Sequence, residues 1–292
     1  MTATSNRQST LAGRLKQPGL ISAPGVFDMV SARMADSMGF DALYMTGFGV
    51  VASHLGLPDA GLASYTEMVG RVQQIAQGTA TPLIADGDTG YGGLLNVDFT
   101  VRGYEAAGAA AIQIEDQEFP KKCGHTPGRR VVPLEDAVRR IKVAAQARSS
   151  KDFLIVARTD ARTSLGLDEA LRRGEAFVKA GADVLFIESP ESEAEMERIG
   201  RSFDVPLLAN MVEGGRTPVL SRDELERLGF KLAIFPVSGL LAMAAALRAV
   251  YGEIRSSGST AGWTGEFHDF AAFTRLMGFE RIWAFERDNA EL

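Results

Sequence analysis

A single cysteine, Cys123, excludes an intrachain disulfide and a thiolate zinc cage. Histidine is scarce too: His54, His125 and His268 lie far apart in the chain, so a metal site built on nitrogen is not expected. Positive charge is in deficit, 31 Lys and Arg against 37 Asp and Glu for a net charge of -6, which leaves no basic face for nucleic acid. Long hydrophobic runs are absent. The longest, 232–247, is broken by Pro236 and Gly239, and it falls short of the roughly 20 residues that cross a bilayer. The first twenty residues have no apolar core of the secretory kind. A cytoplasmic protein without membrane or nucleic-acid partners is expected.

What is present is a repeating alternation. Apolar strands are predicted at 20–27, 42–46, 82–85, 111–114, 153–157, 184–187, 205–209 and 232–236. Between them, helical spacing is read at 29–38, 65–76, 96–107, 134–148, 168–180 and 193–202, and Ser221 with Glu224 has the capping-box spacing that opens another helix. Eight continuous apolar strands suit a closed parallel barrel, whose strands are covered on both faces. A doubly wound open sheet would fit the alternation but usually uses fewer strands. The expectation is an α/β protein, a (β/α)8 TIM barrel spanning 1–292 as a single domain with C-terminal helices.

Function is read from where the polar residues fall. Strands three to seven end in Asp86 with Asp88, Glu115 with Asp116, Arg158 with Asp160, Glu188, and Asn210. Taken singly, a strand-end Asp often caps the next helix, and an Arg often pairs with a neighbouring acid. Five consecutive strands doing so converge their polar ends on the barrel mouth, where this fold places active sites. Asp86, Asp88 and Glu115 are hard oxygen donors suited to Mg²⁺ or Mn²⁺ with several waters and one anionic substrate. Arg158 is the expected bidentate clamp for a substrate carboxylate. Asp88-Thr89-Gly90 also matches a short aspartic-protease signature, but that chemistry needs an all-β setting. The nearby glycines lack the spacing of a phosphate-binding loop.

After the fourth strand comes a loop in which Lys121, Lys122, His125, Arg129 and Arg130 surround Cys123, with Gly124 and Gly128 supplying backbone freedom. Such a run is commonly a solvated basic surface loop. The thiol and the adjacent acids favour a mobile cationic lid over a metal site, meant for a small anion.

These residues resemble the isocitrate lyase and phosphoenolpyruvate mutase superfamily. The resemblance rests on Asp86-Gly87-Asp88 with Gly90-Tyr91-Gly92, Ile114-Glu115-Asp116-Gln117, Lys121-Lys122-Cys123-Gly124-His125 and Ala157-Arg158-Thr159-Asp160. The cysteine loop marks the carbon–carbon lyase branch. Membership implies Mg²⁺ dependence, with Mn²⁺ as a substitute, a homotetramer, and an eighth helix exchanged between subunits. It implies that Asp86 binds the metal directly, that Asp88 and Glu115 hold it directly or through water, and that Asp59 stands in its outer shell. Tyr44, Thr46 and Gly47 would hold the 2-oxo acid portion, Arg158 and Asn210 the carboxylates, and Glu188 the hydroxyl region. Gly124 and Glu213 join the substrate contacts, and His125 joins Cys123, Arg158 and Glu188 as catalytic.

The implied reaction cleaves a 2-hydroxy di- or tricarboxylate to a 2-oxo acid and a carbanion that Cys123 protonates, its thiol pKa of about 8.5 being lowered by neighbouring cations. Asn210-Met211-Val212-Glu213-Gly214-Gly215 resembles the petal-death-protein and dimethylmalate lyase group, so a 2-alkylmalate is favoured over 2-methylisocitrate. Oxaloacetate hydrolysis or decarboxylation, or phosphonomutase chemistry of the carboxyvinyl-carboxyphosphonate type, is the alternative on the same scaffold. Seven aromatics between Trp263 and Phe285 make 263–292 a candidate oligomerisation segment.

Overall fold

The computed structural model describes residues 10–124, 126 and 128–290. Eight strands, β1 (Ile21–Val26), β2 (Leu43–Met45), β3 (Leu83–Asp86), β4 (Ala111–Glu115), β5 (Leu154–Thr159), β6 (Val184–Ile187), β7 (Leu207–Asn210) and β8 (Leu232–Phe235), follow one another around a closed barrel. Every neighbouring pair is parallel, and Ile21 opposite Leu232 closes the circle. Main-chain hydrogen bonding therefore runs round the whole barrel and leaves no sheet edge to solvent.

Side chains alternate between two apolar layers, as strand geometry requires. Inward positions such as Ile21, Tyr44, Ile84, Ala111, Val156, Phe186, Leu208 and Ile234 fill the barrel. Outward positions such as Leu43, Leu83, Ile112, Ile155, Leu185 and Leu207 pack against the surrounding helices. The helix Tyr65–Gly78 starts with a capping box from Ser64 to Glu67, and the helix Arg222–Arg227 with one from Ser221 to Glu224. The capping signal at Ser221 and Glu224 thus forms as expected.

Short helices at Leu11–Leu15, Gly47–Val50 and Ala161–Leu165, and a π-helical turn at Val51–Leu55, are additions to the expected pattern. Each is five residues or fewer, too short for hydrophobic periodicity to reveal. After β8 runs the helix Ser238–Ser257, of whose 20 residues only Leu240 is buried. Two further helices, Phe270–Leu276 and Phe279–Asp288, bury none of theirs. Among the described residues no helix is long and apolar enough to cross a membrane.

Candidate active site

Each candidate residue at the barrel mouth continues the inward register of its strand by one step. Ile84 is followed inward by Asp86, Gln113 by Glu115, Val156 by Arg158, Phe186 by Glu188 and Leu208 by Asn210. All five end residues are buried and line one cavity of about 250 Å³. Tyr44, Thr46, Asp59, Cys123, Gly124 and Glu213 line it too.

Two expected residues stand behind the wall. Gly47 donates its N–H to Asp86 Oδ2 at 3.3 Å, so it orients a carboxylate and does not face the cavity. A Cβ there would lie 2.7 Å from Asp86 Oδ2 and 3.5 Å from Asp88 Oδ1, which shows how closely the two acids approach one point and why the position is glycine. Asp88 itself takes φ +48°, a strained value for a non-glycine residue. Its Oδ1 pairs with Lys121 Nζ at 2.6 Å, and Lys121 also reaches Asp59 Oδ1 at 2.6 Å. Thr46 lines the cavity, but its hydroxyl accepts the Gly49 N–H at 3.3 Å as the cap of the helix Gly47–Val50.

Gln113, absent from the sequence reading, is wholly buried between the two sides of the mouth. Tyr44 donates its hydroxyl to Gln113 Oε1 at 3.0 Å, and Gln113 Nε2 donates to Asp86 Oδ1 at 3.3 Å. The signal for it was its parity: a polar residue two places before Glu115 in an apolar strand must point inward.

Burial dominates the electrostatics. It raises the pKa of Glu115 well above the carboxylate range against the pull of Arg158, and raises Asp88 to about 7 against the pull of Lys121. Burial disfavours the Lys121 ammonium, yet Asp88 and Asp59 hold its pKa well above the usual value. Burial, reinforced by Asp86, likewise pushes Tyr44 well up and keeps it a protonated donor.

The donor set fits a hydrated divalent cation. Glu115 Oε1 is buried without a hydrogen-bond partner among the described residues, and acids crowded in a low-dielectric pocket are stabilised by positive charge. Among those residues no three acid, histidine or cysteine side chains are gathered into a ready cage. Mg²⁺, which takes one or two carboxylates and keeps several waters, suits this better than an ion demanding a full protein shell.

The guanidinium of Arg158 is used differently from the expected clamp. Its Nε and Nη2 donate to Asp160 Oδ2 and Oδ1, both at 2.9 Å, while Glu115 and Glu188 oxygens lie 3.5 and 3.4 Å away. Its Cζ sits 5.1 Å from the centre of the Phe186 ring. The fork thus grips Asp160. Beside it, Asn210 Nδ2 donates to Glu188 Oε2 at 3.0 Å.

The cysteine loop lies across this mouth. Gln117 accepts from Lys122 N–H at 3.0 Å and donates to Lys122 C=O at 2.9 Å, pinning one stem. A Cβ on Gly124 would come within 2.5 Å of Arg158 Nη2 and 2.9 Å of Glu188. The loop's charges are largely spent internally, which corrects the picture of a cationic lid. Lys121 pairs with Asp59 and Asp88, Arg129 with Asp160, Arg130 with Glu118, and Lys122 Nζ donates to Gly128 C=O at 3.4 Å. His125 lies outside the described residues.

A parallel barrel whose mouth gathers acids, one arginine and a cysteine loop defines a class of enzymes acting on small carboxylates. The family model described as phosphoenolpyruvate phosphomutase matches residues 12–255. The chain is 47% identical to 2,3-dimethylmalate lyase of Eubacterium barkeri over 98% of this chain and 99% of that protein. It is 41% identical to 2-methylisocitrate lyase of Bacillus subtilis (strain 168), over 87% of this chain and 86% of that one. A solved structure of oxaloacetate acetylhydrolase with the inhibitor 3,3-difluorooxalacetate superposes with a TM-score of 0.91 at 36% identity, over 97% of both chains. The chain belongs to the phosphoenolpyruvate mutase/isocitrate lyase superfamily, whose members are enzymes and generally depend on a divalent metal.

Proposed function

We propose that this protein is a Mg²⁺-dependent carbon–carbon lyase that cleaves a 2-alkylmalate to a 2-oxo acid, such as pyruvate, and a second carboxylate. The observation that carries the reading is the single cavity in which Asp86, Glu115, Arg158, Glu188 and Asn210 meet under the Cys123 loop. Phe48, Val212, Ile234, Pro236, Val237 and Leu241 line the same cavity. An apolar wall of that size favours alkyl substituents. A third substrate carboxylate would need its own cation, and of the lysines here Lys121 is already held by two acids.

Asp86 would hold the metal directly and Glu115 and Asp88 through water, with Asp59 behind them. When bound, the ion supplies positive charge to the hydroxyl and carboxylate oxygens of the 2-hydroxy acid. Tyr44 and Thr46 border that end, with Gly47 orienting Asp86 behind them. Arg158 and Asn210 take carboxylate oxygens, Glu188 faces the hydroxyl, and Gly124 and Glu213 border the distal end. Glu188 would take the hydroxyl proton, the ketone forms as the adjacent carbon–carbon bond breaks, and the electron pair passes to the carbon next to the second carboxylate. The Cys123 thiol gives its proton to that carbon, and His125, two residues on in sequence, is assigned to assist it. A closed loop keeps water from competing for the carbanion.

The protein would act as a cytoplasmic homotetramer, one barrel unit per subunit, with 263–292 as an assembly segment. Oxaloacetate hydrolysis is the second reading, kept because oxaloacetate acetylhydrolase shares this fold at 36% identity over 97% of both chains. Incubation with 2,3-dimethylmalate, methylisocitrate and oxaloacetate, followed by assay of released 2-oxo acid and oxalate, separates the two. Cys123→Ser is expected to lower alkylmalate cleavage by about 100-fold or more, the scale of losing a general acid, while sparing oxaloacetate decarboxylation. A Cys123→Ser enzyme as active as wild type would remove the proton-donor role.

A further inference from the structure

Behind the cavity wall, a buried set of polar contacts joins the C-terminal stem of the cysteine loop and the residue next to Cys123 to the ends of β5 and β6. Asp160 is wholly buried. Besides the Arg158 fork, its Oδ1 accepts from Arg129 Nη1 at 2.6 Å. Arg129 stands on the C-terminal stem of the loop and is itself buried. Its Nη2 donates to Thr163 Oγ1 at 2.7 Å and to Ser189 Oγ at 3.4 Å. Ser189 Oγ in turn lies 3.1 Å from Gly124 C=O and 3.0 Å from Glu188 Oε1, either of which can accept its one proton.

Ser189 occupies the left-handed region at φ +60°, where a residue with a side chain is strained. Strain of this kind persists where surrounding contacts over-determine it. Here the strained residue hands one hydroxyl to the loop backbone and to the neighbouring cavity carboxylate. A loop lifted off the mouth would break the Gly124 contact and draw Arg129 from Asp160. Asp160 would then hold Arg158 without its second cationic neighbour.

We propose that Arg129 and Ser189 are positioning residues that register closure of the Cys123 loop against Arg158 and Glu188. The thiol is thereby delivered when, and only when, the guanidinium that meets the substrate is locked by Asp160. Neither residue touches the reacting atoms; Arg129 acts through Asp160, and Ser189 through Gly124. The inference rests on the proposed lyase reading for its catalytic meaning, but the loop latch can be measured without turnover.

Because Cys123 is the chain's only cysteine, its alkylation by iodoacetamide reports loop opening directly in the intact protein. Arg129→Gln, Arg129→Lys and Ser189→Ala are compared with wild type, using the rate plateau at high pH so that access is read apart from thiol ionisation. The expectation is alkylation faster by about tenfold in Arg129→Gln, with kcat for 2-oxo acid release lower by about tenfold or more, as for a misplaced reacting group. Lysine, which retains one donor for Asp160, should recover part of both effects, and Ser189→Ala should show a smaller change in the same direction. A purely structural role predicts a lower melting temperature with alkylation and kcat/KM of the folded protein within about twofold of wild type, and that result overturns the proposal. If Arg129→Gln does not fold, Ser189→Ala, which buries no new charge, decides in the same way. Wild-type protein that releases no 2-oxo acid, beside a variant that still alkylates faster, would sink the lyase reading and leave the latch standing.

Discussion

Asp86 is the carboxylate on which other groups converge. Its Oδ1 accepts from Asp88 N–H at 3.1 Å and from Gln113, its Oδ2 from Gly47, and its backbone C=O from the Tyr104 hydroxyl at 3.2 Å. None of these donors is a cation, so they orient the carboxylate without forming an ion pair with it. Asp88, by contrast, is already paired with Lys121. Asp86→Asn keeps the shape and one oxygen while removing the charge, and should weaken Mg²⁺ binding more than Asp88→Asn does. A loss of about 100-fold is expected for Asp86→Asn, at the upper end of what outer partners cost. Calorimetric titration with Mg²⁺, or Mn²⁺ resonance, measures it without substrate. Equal affinity in wild type and Asp86→Asn would remove Asp86 from the metal site. The residues that sequence alone brought to this mouth were those whose type announces chemistry: acids, an arginine and a lone thiol. Gln113 and Ser189 carry no such announcement. Asp116 looked like a second cavity acid, but its parity is outward. It accepts from Thr159 Oγ1 at 2.6 Å and from Arg173 Nη1 at 2.9 Å on the helix Leu167–Ala180.

At the scale of elements, the eight strands were legible because a barrel strand is buried on both faces and therefore reads as an uninterrupted apolar run. Their ends moved by two residues at most, as with β5, expected to stop at Ala157 and continuing to Thr159, and β6 did not move. What stayed illegible was the state of the cysteine loop, because its geometry is fixed by contacts distant in sequence. Lys121 and Arg129 read as cations for an anion, yet fold onto Asp59, Asp88 and Asp160. Gly124 makes the point testable. A methyl group there meets Arg158 and Glu188 at 2.5 and 2.9 Å, both held in place by Asp160, Asn210 and Ser189. Gly124 is not among the residues at positive φ, so alanine should be tolerated by the backbone itself. The loop can relieve the contact by lifting without the barrel unfolding, so Gly124→Ala is expected to leave the unfolding midpoint nearly unchanged, within about 0.5 kcal/mol. Closure should suffer instead, with kcat falling by about 100-fold, the cost of displacing a reacting group by an ångström. Wild-type kcat in this variant would mean the loop does not need to reach the depth seen here.

For the whole molecule, the end of the barrel's helical ring is the part that its own chain leaves uncovered. The helix Ser238–Ser257 follows β8, where an eighth helix normally shields the seam between β8 and β1, yet it leaves Leu241, Met243, Leu247, Tyr251 and Ile254 exposed. On that seam the outward positions Ser22, Pro24 and Phe235 are only half-buried, unlike the outward residues of β3 to β7. Further on, Phe267, Phe270, Phe279, Trp283 and Phe285 are exposed as well. Burying one such side chain fully is worth about 1.5–3 kcal/mol, so a surface of this kind is stable in water when another subunit covers it. An exposed helix beside a thinly covered seam is the geometry expected if subunits exchange their eighth helices. Such an assembly is measurable in the intact protein and in altered chains. Its thermal midpoint should rise with protein concentration, because association stabilises the folded subunit by mass action. Removal of 258–292 should shift sedimentation velocity from a tetramer to smaller species that dissociate further on dilution. Tyr251→Asp, which places a charge within the apolar face without shortening the chain, should weaken the assembly in the same direction. A truncated protein that sediments as a tetramer at all concentrations would exclude the terminal helices from the interface, and a wild-type monomer would end the exchange proposal altogether.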